Sequence, residues 1–126
     1  MLHDLKVSVT TDALGDGTGT PEFWPGMGRL EAVVLDFGTL DANMDITITS
    51  AGHGVTQTLL SKTNQGAADA IWYPRVKGVD AADGSALADG DGNAYQEPIV
   101  DGPPTVTVAD GGNVQAGVFH LLVRRD

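Results

Sequence analysis

Met44-Asp45-Ile46-Thr47-Ile48-Thr49 alternates apolar and polar residues without a break, and this period of two recurs along the chain where no helical period does. Such alternation marks strands with one face buried. Leu5, Val7 and Val9 alternate in the same way with Lys6, Ser8 and Thr10. Leu30 to Phe37 is a near-continuous apolar run, the pattern of a central strand. Ala51-Gly52-His53-Gly54 is a tight connection whose glycines supply unusual backbone angles, so Met44–Thr49 is expected to form a hairpin with Val55–Lys62. Asp69 to Lys77 carries Ile71, Trp72, Tyr73 and Val76, and Pro74 cannot donate to a ladder, which places this strand at an edge or on a bulge. Thr105–Val108 and Gly117–Val123 are the closing strands, and Asp110-Gly111-Gly112-Asn113 between them is a hairpin turn signal. Asp12 to Gly28 is read as a loop, and only Gly66 to Ala70 leaves room for a helical turn. About seven to eight short strands predict an all-β chain: one antiparallel β-sandwich or jelly-roll-like domain.

The 126 residues form one domain by length, spanning 1–126, and aromatic residues make up only 6%. The core must therefore come from Val, Leu and Ile on the patterned segments. With no cysteine, disulfides, thiol nucleophiles and cysteine zinc sites are excluded. Residues 78–104 hold six acids (Asp80, Asp83, Asp89, Asp91, Glu97 and Asp101) and no Lys or Arg, and read as a long acidic surface excursion, with a short strand near Gln96–Val100. Seventeen acids against seven bases give a net charge of −10, which repels phosphate backbones and anionic lipid. Neither nucleic acid nor membrane is an expected partner. Met1 to Lys6 lacks the basic start and apolar run of a signal peptide, so the chain is expected to be made in cytoplasm and kept there or packaged into a particle.

No arrangement of residues points to catalysis. Ser8, Ser50, Ser61 and Ser85 show no nucleophile elbow, and His3, His53 and His120 are not at metal-ligand spacing. Gly15-Asp16-Gly17-Thr18-Gly19 lacks the Lys and the helix of a phosphate cradle and reads as a flexible turn. Asp89, Asp91 and Asn93 space their oxygens like the start of a calcium loop. However, Ala94 stands where glycine is wanted, and Val100 where the bidentate Glu belongs. An acidic Gly-Asp turn is the plainer reading, and no cofactor is implied. Phe23, Trp24 and Met27 cluster in a polar loop, either as an interface anchor or as a cap over the open end of the core. Trp72 and Tyr73 point to opposite faces of one strand, one into the core and the other exposed or at an interface. Arg75, Arg124 and Arg125 are candidates to pair with acids on a partner.

Arg29-Leu30-Glu31-Ala32-Val33-Val34-Leu35-Asp36-Phe37-Gly38-Thr39-Leu40-Asp41-Ala42, then Asp45–Thr49, Thr58-Leu59-Leu60, Trp72-Tyr73-Pro74-Arg75, Glu97-Pro98-Ile99-Val100 and Asp110-Gly111-Gly112-Asn113 follow in order. This set resembles the small virion proteins of tailed bacteriophages described as head decoration or cement proteins. The likeness spans nearly the whole chain and departs from the family in a longer Gly84–Ala94 segment. It implies a non-enzymatic β-sandwich on the capsid surface that binds the major capsid protein as a homo-oligomer, a trimer in first preference, and it hands over no individual functional residues. A tail, connector or fibre-base component with the same fold is the first alternative. A carbohydrate- or calcium-binding sandwich is the second, with only Trp72 or Tyr73 and Tyr95 on offer as glycan-facing aromatics.

Overall fold

The computed structural model describes residues 1–76 and 96–125, with the backbone of 77, 88–89, 92–93 and 95. Its strands are β1 (Leu2–Thr10), β2 (Gly17–Gly19), β3 (Gly28–Asp36), β4 (Met44–Ser50), β5 (Gln57–Gln65), β6 (Ala70–Trp72), β7 (Val76–Lys77), β8 (Ala88–Asp89), β9 (Gly92–Asn93), β10 (Tyr95–Gln96), β11 (Ile99–Val100), β12 (Thr105–Ala109) and β13 (Ala116–Arg124). Nine of these build two packed antiparallel sheets. The front sheet runs β1-β13-β3, with β11 and β6 sharing the far edge of β3, and the back sheet runs β2-β12-β4-β5. Two short ribbons, β7 with β10 and β8 with β9, complete the pairing.

Period two becomes burial directly. Leu5, Val7 and Val9 of β1, Phe119, Leu121 and Val123 of β13, and Met44, Ile46 and Ile48 of β4 all lie in one core between the sheets. Two β-bulges explain the runs that do not alternate. Val123 pairs with Leu30 and Leu122 with Ala32, so Glu31 is the extra residue; Leu30 and Val33 then face the same side although they differ in parity. On β5 the partners of Ile48 and Thr49 are Leu60 and Thr58, so Leu59 is extra and both leucines are buried. The 69–77 segment breaks around buried Pro74 into β6, at the sheet edge, and β7.

Two expectations are corrected. The first concerns residues 12–28, where a strand appears: Gly17–Gly19 pairs with Val106–Val108. A Cβ on Gly17 would stand 2.5 Å from the Thr10 carbonyl oxygen and one on Gly19 2.5 Å from that of Ser8, so the glycines are there for close backbone approach, not for a flexible turn. The second concerns β12 and β13, which do not form a hairpin: β12 belongs to the back sheet and β13 to the front. The 110–114 turn is instead a corner between the sheets. Asp110, Gly112 and Val114 have positive φ there, Gly111 N–H donates to the Gly15 carbonyl and Val114 N–H to that of Asp12, and Thr11 Oγ1 donates to the Gly112 carbonyl at 2.6 Å. Turn chemistry reverses the chain but does not decide which sheet receives the next strand.

Phe119→Ala should lower unfolding free energy by about 3–5 kcal/mol, because a fully buried ring at the centre of the front sheet leaves a cavity. Gly19→Ala should lower it by about 1–3 kcal/mol through the forced clash with β1. Urea unfolding measures both.

Candidate interaction face

Odd-numbered residues of β1 point into the core, so the even ones, with their neighbours across the ladder, form the outer face of the front sheet. One row across it reads Lys6, His120, Val34, Ile71; the next reads Asp4, Leu122, Ala32; the last reads Leu2, Arg124, Arg29. A solvent-facing antiparallel sheet is ordinarily polar. Here β13 is apolar on both sides, since Val118 and Leu122 alternate with Phe119, Leu121 and Val123. Leu2, Ala32, Ile71, Tyr73 and Leu122 line an open depression of about 580 Å³. Ile71 is 49% and Tyr73 62% exposed, so these side chains serve no core.

The rim of the depression is where the chain gathers its arginines. Arg75 and Arg124 line it together with Glu31, and Arg124 also borders an adjoining hollow of about 200 Å³ with Arg29, Arg125, Met27 and Ile99. Arg124 Nε lies 2.6 Å from Glu31 Oε1 and its Nη2 3.9 Å from Glu97 Oε1. Arg75 Nη1 donates to the Glu31 carbonyl at 3.1 Å, and Arg29 Nη1 to that of Glu97 at 3.3 Å. A backbone hydrogen bond at Glu97 holds its carboxyl below the usual carboxylate range, and the charges of Arg75, Arg124 and Arg29 add to this against partial desolvation. Three of the four arginines of a −10 chain, Arg29, Arg75 and Arg124, thus bear on Glu97 at one end of one sheet, with Arg125 in the adjoining hollow. The end of the front sheet is locally cationic on an acidic molecule.

Of the residues singled out in the sequence, Tyr73, Arg75 and Arg124 share the depression, while Met27 and Arg125 share the hollow beside it. Phe23 and Trp24 part company. Trp24 packs against the core, and Phe23 is 63% exposed, its ring centroid 6.5 Å from that of His3. Trp72 also packs against the core, with Lys62 Nζ 5.9 Å from its ring centroid. Leu2, Ile71, Leu122 and Arg29 were not anticipated; the apolar residues of both parities on β13, Val118 and Leu122 beside Phe119, Leu121 and Val123, were the available signal. Asp91 lies outside the described residues, as do the side chains of Asp89 and Asn93, so the calcium candidate falls there. Among the described residues no three His, Asp or Glu side chains gather as metal ligands, and no helix is long and apolar enough to cross a membrane.

A serine, a histidine and an aspartate do meet elsewhere. Ser50 Oγ donates to Asp101 Oδ1 at 3.0 Å, Gly52 N–H to the same oxygen at 3.2 Å, and His53 Nδ1 lies 3.2 Å from Asp101 Oδ2. A nucleophilic triad needs the imidazole between hydroxyl and carboxylate. Here both bond to the carboxylate, and Ser50 is buried at 2% exposure. The cluster is a clasp that ties the β4–β5 connection to the segment entering β12. It holds the Asp101 carboxyl below its usual range, first through His53 and then through the Gly52 N–H.

Comparison with protein-family models, with curated proteins and with solved structures finds no match for the chain.

Two outcomes are expected. Ile71→Ser should change unfolding free energy by no more than about 0.5 kcal/mol, as for an exposed position, whereas Leu121→Ala, buried on the inner face of the same sheet, should cost about 2–5 kcal/mol. Asp101 has a depressed folded-state pKa, so its contribution is present above the unfolded carboxylate value of about 3.9 and lost as pH falls through the folded one. Asp101→Asn should accordingly be less stable than the parent near neutral pH, with the difference vanishing in urea melts run at pH values below that range.

Proposed function

We propose that this chain is a non-enzymatic virion structural protein: a decoration or cement protein that binds the major capsid protein on the exterior of an assembled phage head through the arginine-rimmed outer face of its front sheet. The observation that carries the reading is that face. Leu2, Ile71, Tyr73 and Leu122 lie exposed or half-exposed around one depression, bordered by Arg75 and Arg124. Tyr and Arg around a desolvatable apolar centre is the composition of binding hot spots. Cationic groups within a −10 molecule steer that end toward an acidic partner surface. A molecule that binds only the assembled shell stabilises the shell by mass action.

The resemblance to small phage head proteins supplies the partner, and the strand order supports the architecture expected of one. Leaving out the two-residue β11, the sheet strands renumbered in chain order run 1-8-3-6 in the front sheet and 2-7-4-5 in the back. We read this as a jelly roll, the double-sheet architecture that virion domains share with lectins.

Quantitative mass spectrometry of purified particles, scaled to the major coat protein, tests the reading. A copy number equal to the coat protein, or a simple fraction of it set by capsid symmetry, is expected. A handful of copies would move the protein to the tail or portal, and absence from particles would end the virion reading. Tyr73→Ala with Arg75→Ala should weaken binding to purified heads by roughly 30-fold or more, the loss of about 2 kcal/mol of hot-spot contact.

A further inference from the structure

The outer edge of β1 holds a second surface, unrelated to the arginines. Arg125 N–H donates to the Met1 carbonyl, the Met1 amine to the Arg125 carbonyl, and at the other end Thr11 N–H to the Gln115 carbonyl. The β1–β13 register runs unbroken between them. Odd residues of β1 therefore spend their backbone groups on β13, and even residues turn theirs to the opposite side. The carbonyls of Ser8 and Thr10 confirm the direction, since they face Gly19 and Gly17 of β2. β2 covers only that half. The N–H and C=O groups of Leu2, Asp4 and Lys6 have no backbone partner among the described residues. Asp4, Leu5 and Lys6 border a slot of about 430 Å³, whose far wall is Pro21, Glu22 and Phe23. Phe23 meets His3, an odd residue, so this wall stands on the inner side and leaves the plane of the front sheet open.

Evenly spaced unpaired backbone groups along a strand recognise another extended strand. The side chains specify which one. A strand added antiparallel beside Asp4-Leu5-Lys6 wants a cation opposite Asp4, an apolar residue opposite Leu5 and an anion opposite Lys6. Read in its own direction, that guest is acid, apolar, base, which is the order of Asp4-Leu5-Lys6 itself. We infer that β1 carries a self-recognition edge: two copies of this chain pair Asp4-Leu5-Lys6 with Asp4-Leu5-Lys6 about a two-fold axis at Leu5, the pairing ending where β2 covers Ser8. Asp4 of each copy then lies opposite Lys6 of the other, in the hydrogen-bonded pairs that the even residues make. Asp4 Oδ1 already lies 3.0 Å from His120 Nδ1, and its second oxygen remains for the lysine. Lysine on an open edge ordinarily discourages strand pairing; here the neighbouring aspartate cancels that protection for this one register. Phe23, exposed below the edge, is covered as the second copy closes over it.

The inference stands apart from the coat-binding reading, and either can fail alone. Sedimentation equilibrium of the full chain should give twice the 13.0 kDa chain mass. Lys6→Pro removes an outward N–H without touching a β13 bond, so it should give the single-chain mass with an unchanged circular dichroism spectrum. Asp4→Lys should also give the single-chain mass, and adding Lys6→Asp to it should restore the pair. The charge swap decides the matter if the proline variant does not fold. A parent chain that stays at the single-chain mass at its highest soluble concentration would overturn the inference. So would a three-chain mass, a folded Lys6→Pro variant that still pairs, or a folded double swap that does not.

Discussion

The ladder between the first and last strands is what the rest of the molecule depends on. β1 pairs with β13 over its whole length, Leu2 to Arg124 through Thr10 to Ala116. Because this is one antiparallel register, the parity of nine consecutive pairs is set together: Leu5, Val7, Val9, Phe119, Leu121 and Val123 enter the core as a block. The same parity leaves Leu2, Leu122 and Arg124 outside, beside Ile71 and Arg75. A slip of one residue would exchange the two sets. The ladder joins residues more than a hundred positions apart, so the face it creates exists only in the finished fold.

The two sides of the molecule are closed by different chemistry. On the β1 side, closure is steric: Gly17 and Gly19 let β2 approach the outward carbonyls of Ser8 and Thr10, where any side chain would collide. On the opposite side it is electrostatic and apolar, with Lys62 of β5 over Trp72 of β6. Gly52 and Gly102 repeat the steric device at one end. A Cβ on Gly52 would fall 1.7 Å from the Asp101 carbonyl oxygen, and the Asp101 carboxylate then fastens what the glycines bring together. Each closure is local, which is why, among the described residues, no strand pairs with the lower half of the β1 edge, beyond the reach of β2.

Much of the fold was legible because burial follows parity. Met44–Thr49 and Leu5–Thr10 could be assigned inside and outside residue by residue. Leu30–Phe37 could be placed in a sheet centre, though the bulge at Glu31 that makes the run continuous could not be read from it. β2 was hidden because Gly-Thr-Gly carries no apolar alternation; its reason to be a strand lies in the carbonyls of another segment. The candidate face was legible by residue type and not by place. Tyr73, Arg75, Arg124 and Arg125 are the kinds of side chain that anchor partners, but only the pairing of β13 with β3 and of β3 with β6 brings them together. Phe23 and Trp24 show the converse. Neighbours in sequence, they serve solvent and core respectively.

The outer face of the front sheet is exposed in the free protein, and we propose that an assembly covers it. Hydroxyl-radical footprinting of the free protein and of purified particles tests it directly. Tyr73, Ile71 and Leu122 should be oxidised in the free protein and protected in the particle, while Val55 and Val114, exposed elsewhere at 73% and 64%, keep their reactivity. Equal oxidation of Tyr73 in both states, with protection appearing at Val55 or Val114, would contradict the account and move the interface off this sheet.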